Sequence, residues 1–116
     1  MIENPLVELK VSIQRALLGH VSERMAAVTC GIQGQTILIL VYYWGDITQR
    51  DIERVQEIST EVIADFTEEF GILEECRVVQ SNKLECLDFL AFLREGDWEF
   101  AKPESPIAGQ IFRQSN

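Results

Sequence analysis

The sequence predicts one α+β domain, in which helices cover one face of an antiparallel sheet. The chain has 116 residues, close to the commonest domain size, and 47% of them are hydrophobic. Two segments repeat apolar residues with helical spacing, and four shorter segments are rich in strand-forming residues and bounded by turn residues. We expect the order α-β-β-α-β-β, with two hairpins forming an antiparallel sheet that both helices cover on the same face.

The first helix is predicted to begin at Asn4-Pro5. Asparagine caps a helix, and proline at the first helical position loses no hydrogen bond. Gly19 is suited to closing this helix in the left-handed conformation. The apolar stripe consists of Leu6, Leu9, Ile13 and Leu17.

The second helix is predicted to begin at Thr48, which forms a variant of the capping box with Asp51. The pattern is interrupted at Gly71. One face is apolar and the opposite face is charged, so packing of the apolar face is expected to stabilise this helix. That face contains Ile52, Val55, Ile58, Val62 and Phe66.

Strands are predicted over residues 25–32, 36–44 and 72–80, with a tight reversal at Gly34-Gln35. Residues 36–44 are almost wholly apolar, which indicates a central strand covered on both faces. Residues 87–94 fit the spacing of a strand or of a helix, and their short length and aromatic content favour a strand.

The domain is expected to span residues 1–95. After Gly96 the apolar pattern is lost, and Pro103 and Pro106 interrupt the chain. We therefore expect residues 96–116 to form a loosely attached C-terminal tail.

Acidic residues are concentrated in the second half of the chain. Residues 59–116 hold 12 acidic and five basic residues, a net charge of −7, whereas residues 1–58 hold seven and five, a net charge of −2. Negative charge repels the phosphates of nucleic acids and of anionic membranes, so we expect neither as a partner. The same charge favours a basic protein partner.

No catalytic or metal-binding motif accompanies this charge. His20 is the single histidine, and no nucleophile motif surrounds it. The three cysteines Cys30, Cys76 and Cys86 lack the spacing of a zinc site or a disulfide framework. We therefore expect no enzyme activity, metal or cofactor. With no signal peptide apparent at the start, a cytoplasmic location is expected.

The candidate partner-binding residues are acidic and aromatic side chains of the second half. Trp98 lies between Asp97 and Glu99. These acidic neighbours are expected to stay in solvent and to keep the segment at the surface. An aromatic anchor surrounded by acid suits a basic partner surface. The predicted set is Glu74, Glu75, Glu85, Asp88, Asp97, Trp98 and Glu99.

Four segments also resemble a known group of proteins. They are residues 15–21 (RALLGHV), 24–28 (RMAAV), 61–66 (EVIADF) and 87–94 (LDFLAFLR). Over residues 13–95 the chain is similar to small bacterial immunity proteins of contact-dependent inhibition and other polymorphic toxin systems. The resemblance implies a cytoplasmic protein that covers the active site of a cognate toxin, in many cases a nuclease with a basic cleft.

A secretion chaperone is the alternative. Chaperones of this kind are also small, acidic and cytoplasmic, and they bind an extended segment of an effector protein. The sequence leaves open whether the protein is a monomer or a homodimer.

Overall fold

The structure is a computed structural model, and it describes residues 4–103 together with the strand at residues 113–114. Within these residues, two helices and seven strands follow in the order α1 (Pro5–Leu17), β1 (Met25–Gln33), β2 (Thr36–Tyr43), α2 (Gln49–Ile63), β3 (Gly71–Val78), β4 (Lys83–Glu85), β5 (Phe89–Leu93), β6 (Glu99–Ala101) and β7 (Arg113–Gln114). The α+β class is confirmed, and residues 87–94 contain a strand as predicted.

Both helices begin as the sequence predicts. The Asn4 side chain accepts hydrogen bonds from the backbone amides of Leu6 and Val7, and Pro5 follows as the first helical residue. In α2, Thr48 and Asp51 form a reciprocal capping box. These contacts satisfy amide groups that the first turn of a helix leaves without intrahelical partners.

The main sheet is mixed, so the expectation of an entirely antiparallel sheet is wrong. Its strand order is β5-β1-β2-β3-β7. The β1–β2 hairpin is present, but β3 pairs parallel to β2, and β5 pairs with β1 at the far side of the sheet. The connection through α2 is long enough to return the chain to the starting edge of β2, which parallel pairing requires.

Both helices contribute to one hydrophobic cluster. It contains Leu9 and Ile13 from α1, Val55 and Ile58 from α2, and alternate residues of β1 and β2 such as Ile39. A smaller cluster lies on the opposite face of the sheet. It contains Ala26, Ala27, Leu38, Leu40, Tyr42 and Leu84, and Trp98 packs against it. The segment after β3 therefore covers part of the sheet face that the helices leave open.

The segment predicted as a tail contains two strands. β6 pairs parallel to β4 in a second, two-stranded sheet. β7 pairs antiparallel to β3 in the main sheet. Residues 104–112 and 115–116 lie outside the described residues, so for them the loose tail stays a prediction.

Candidate protein-binding site

Three strands, β2, β3 and β5, end at the same edge of the sheet. β2 and β3 are parallel, and β5 runs in the same direction because both β2 and β5 are antiparallel to β1. The segments after their carboxyl ends therefore meet. Together they line an open cavity of about 330 Å³, formed by Trp44, Val79, Ser81, Asn82, Glu95, Gly96, Asp97 and Trp98.

Two tryptophans form the apolar part of this cavity. The Trp44 and Trp98 ring centroids lie 5.7 Å apart, with the ring planes inclined by 32°. Trp44 is 41% exposed, and the Trp98 indole N–H donates to the Arg94 carbonyl at 2.8 Å. We call the surface formed by Trp44, Glu95, Asp97 and Trp98 the tryptophan surface.

Gly96 allows Trp98 to take this position. A Cβ atom at residue 96 would lie 2.7 Å from the Trp98 Nε1 atom, closer than a side chain tolerates. At the other tryptophan, Gly45 adopts a φ of +73°, a conformation that glycine reaches without strain. The chain turns there directly after Trp44, and the indole stays at the rim of the sheet.

The carboxylates of the tryptophan surface have no partner among the residues that the structure describes. Glu95 and Asp97 are exposed, and within the described residues neither side chain forms an ion pair or accepts a hydrogen bond. Asn82 donates to the Asp97 backbone carbonyl at 3.0 Å, which fixes the segment and leaves the carboxylate in solvent. Glu99 is also exposed, opposite Lys83 in the β4–β6 pair.

Glu74 lies in a different environment from the one we expected. It is only 7% exposed, and its carboxylate accepts a hydrogen bond from the Ser59 hydroxyl of α2. A buried carboxylate needs such donors because burial without them is costly. Glu74 therefore joins β3 to α2 and is not part of the protein surface.

Glu75 and Glu85 share one cation. The Arg77 guanidinium donates to both carboxylates, so β3 and β4 are joined by a three-residue ionic network. Burial alone lowers the pKa of Arg77, but the hydrogen bonds to Glu75 and Glu85 outweigh it and raise the pKa above its usual value. One of the two negative charges of this pair is therefore neutralised within the protein.

Asp88 is exposed but lies near the opposite end of the sheet, at the start of β5. Its carboxylate accepts a hydrogen bond from the Ile32 amide at 2.9 Å. Of the seven predicted residues, Asp97 and Trp98 line the cavity, and Glu99 follows them in β6. Glu74, Glu75, Glu85 and Asp88 lie elsewhere.

Sequence reasoning missed two residues of the tryptophan surface. Trp44 resembles an ordinary strand-end aromatic, and the signal for its exposure is the glycine that follows it. Glu95 precedes Gly96 in the same acidic segment as Asp97 and Trp98, so it belonged with them on sequence position alone.

His20 is held between two carboxylates of α2. Its Nε2 atom lies 3.0 Å from a Glu61 oxygen, and its Nδ1 atom lies 3.7 Å from a Glu57 oxygen. These contacts join the end of α1 to α2. Within the part of the chain that the structure describes, no group of three or more His, Cys, Asp or Glu side chains is arranged to hold a metal ion.

Comparison with protein families provides the assignment that the geometry alone does not. Residues 7–96 match the model of the MafI2 immunity protein family. The chain belongs to this family. The predicted resemblance to immunity proteins of polymorphic toxin systems is thereby confirmed, and an immunity role is favoured over the secretion chaperone.

The family match includes Trp44 and Glu95 and ends before Asp97, Trp98 and Glu99. No curated protein matches the chain closely enough to extend the assignment. Among the described residues, no helix has both the length and the apolar composition that crossing a membrane requires.

Proposed function

We propose that this protein neutralises a cognate toxin, a nuclease with a basic active-site cleft, by binding it through the tryptophan surface. In this proposal the two indole rings anchor the centre of the contact, and acidic side chains at the rim face basic residues of the cleft. Inhibition is by occlusion, because the bound immunity protein occupies the space that the nucleic acid needs.

The observation that supports this surface most is the pair of carboxylates without an internal partner among the described residues, beside two tryptophans of which Trp44 is 41% exposed and Trp98 is partly buried. Glu95 and Asp97 have no internal partner among the described residues, so their full charge is available to a partner. Tryptophan is enriched among the residues that carry most of the binding energy of an interface. Complementary charge mainly speeds the encounter and selects the partner.

The other predicted acids take different parts in this proposal. Glu99 and Glu85 retain exposure and are proposed as peripheral contacts. Asp88, near the opposite end of the sheet, is proposed to contribute only through its charge. Glu74 and Glu75 hold β3 in place through Ser59 and Arg77. They are proposed to support the binding surface from within.

A second group of exposed apolar residues lies along α1 and is a poorer match to a basic cleft. Val7 and Val11 are each 53% exposed, and Leu18 is 77% exposed. Arg15 of this helix pairs with Asp65 at 2.7 Å, and Lys10 is balanced by Glu8, so this face offers no excess of negative charge to a basic partner. The tryptophan surface therefore suits the proposed toxin better.

We further propose that the protein acts in the cytoplasm and by binding alone, without a cofactor. The family assignment supports a binding role, and the net charge of −9 supports a basic protein partner.

The experiment is to purify the toxin domain encoded beside this gene and to measure its cleavage of nucleic acid with increasing amounts of this protein. We expect equimolar wild-type protein to abolish cleavage. The double variant Asp97→Lys, Trp98→Ala should inhibit only at higher concentration. The double variant Glu68→Lys, Glu69→Lys is a matched control, because these exposed acids lie before the amino end of β3, at the opposite edge of the sheet.

Full toxin activity at saturating wild-type protein would contradict neutralisation. Equal inhibition by the wild type and both double variants would contradict binding through the tryptophan surface. A toxin that stops growth without cleaving nucleic acid would show that the target is not a nuclease. Rescue of growth by co-expression of this protein would then test neutralisation itself.

A further inference from the structure

The cavity of the tryptophan surface has the composition of a site for a cationic side chain. Its volume of about 330 Å³ is at the lower end of the range of ligand pockets. Trp44 and Trp98 supply aromatic rings, and the exposed acidic residues Glu95 and Asp97 are among those that line the cavity. Aromatic faces attract cations through the negative potential above the ring, most strongly for tryptophan.

We infer that this cavity binds the guanidinium group of an arginine side chain presented by the toxin. The inference rests on the proposed function for the identity of the protein that presents the arginine. The planar guanidinium stacks on the exposed indole of Trp44, and its N–H groups donate to the carboxylates of Glu95 and Asp97.

Arginine fits this cavity better than lysine does. The guanidinium is flat, weakly hydrated and always charged, and its fixed fork of donors matches carboxylate oxygens. A lysine ammonium is compact and strongly hydrated, so its transfer to an aromatic surface is less favourable. Nothing else within the described residues neutralises the two carboxylates, which leaves them for an external cation.

Gly96 links the geometry of the cavity to this binding. Because a Cβ atom at this position would come within 2.7 Å of Trp98 Nε1, Gly96→Ala displaces the indole and leaves every charge in place. Loss of arginine binding in that variant would show that the aromatic face contributes alongside the carboxylates.

The experiment uses intrinsic fluorescence, since Trp44 and Trp98 are the two tryptophans of the chain and both line the cavity. The full-length protein is titrated with N-acetyl-arginine amide, and separately with the corresponding citrulline and lysine amides. Citrulline has nearly the same shape as arginine but no charge. We expect a saturable emission change with the arginine amide, half-complete at a concentration on the order of 10 mM.

The Glu95→Gln, Asp97→Asn variant should raise the half-saturation concentration roughly fivefold, as expected for the loss of exposed ion pairs. Glu68→Gln, Glu69→Gln is the matched control and should titrate like the wild type. An equal response to citrulline or lysine, no saturation up to about 100 mM, or unchanged binding in the Glu95→Gln, Asp97→Asn variant would overturn the inference.

This outcome is separable from that of the proposed function. Arginine binding by a protein that fails to inhibit the toxin would refute neutralisation alone. Inhibition of the toxin without arginine binding would refute only the arginine site.

Discussion

The acidic residues of β3 and β4 and those that follow β5 are chemically alike but have different surroundings. Glu74 accepts a hydrogen bond from Ser59, and Glu75 and Glu85 both accept hydrogen bonds from Arg77. Glu95 and Asp97 have no such contacts within the described residues. The comparison shows that the net charge of a segment does not identify the carboxylates that a partner meets. Strand register and the nearest donors decide that.

Charge reversal should separate the two groups most clearly in stability. Glu74→Lys places an ammonium where a buried carboxylate accepts a hydrogen bond, and we expect it to lower the free energy of unfolding by about 3–5 kcal/mol. Asp97→Lys should change it by no more than about 0.5 kcal/mol, because Asp97 is exposed. Urea denaturation measures both. Equal midpoints for the two variants would contradict the contrast.

Removing the shared cation should have the next largest effect. Arg77→Met leaves Glu75 and Glu85 without their shared cation, and one buried Glu75 oxygen already has no hydrogen bond from the part of the chain that the structure describes. We expect a loss of about 2–3 kcal/mol, below the cost of breaking a fully buried pair because Arg77 is still partly solvated. The control is Arg50→Met, whose pairs with Glu53 and Glu57 are exposed. Its cost should be about 0.5 kcal/mol or less.

Substitutions in the tryptophan surface should weaken toxin binding, whereas substitutions of the acidic residues of β3 and β4 should lower stability. If Trp98 is a central anchor, Trp98→Ala should weaken toxin binding by about 2 kcal/mol, mainly through faster dissociation. Val7→Ala removes an exposed apolar side chain from α1 and should leave the dissociation rate unchanged. Surface-based kinetics measure both. A Trp98→Ala protein that dissociates like the wild type would place the anchor elsewhere.

Asp51 gives a smaller effect that depends on pH. Burial raises the pKa of Asp51, but hydrogen bonds from Arg24 and Thr48 outweigh it and hold the pKa below its usual value. The stabilisation of the folded state by ionised Asp51 is therefore present above the unfolded-state pKa of about 3.9. It is lost as the pH falls through the folded-state pKa of Asp51. Asp51→Asn should differ most from the wild type near neutral pH, and the difference should shrink in acid. Denaturation between pH 7 and pH 2 tests this, and a constant difference would contradict it.

Local signals in the sequence were sufficient for most elements of the fold. The caps at Asn4 and Thr48, the β1–β2 hairpin and the strand within residues 87–94 depend on residues close together in the chain. The parallel pairing of β2 with β3 and the pairing of β5 with β1 depend on contacts between distant residues. Hydrophobic periodicity identifies the face of a strand, but it does not specify which strand lies beside it.

The candidate site was predictable in part for the same reason. Strand alternation places Glu74 on the same face of β3 as Cys76, which packs against the main cluster, although we predicted Glu74 as a partner-binding residue. Its donor Ser59 lies on another element, 15 residues away, and no local pattern reveals it. Asp97 and Trp98 were found because they are neighbours in the chain. Trp44 joins them only through the fold.

The most direct test of the tryptophan surface is the association rate of the toxin at low and high salt. Wild-type association should slow as salt rises, because screening shortens the reach of charge to about 10 Å at 0.1 M. Glu95→Lys, Asp97→Lys should associate at least about tenfold more slowly at low salt and depend less on salt. Glu68→Lys, Glu69→Lys should follow the wild type. Salt-independent association, with equal rates for the wild type and Glu95→Lys, Asp97→Lys, would contradict an acidic surface that faces a basic cleft.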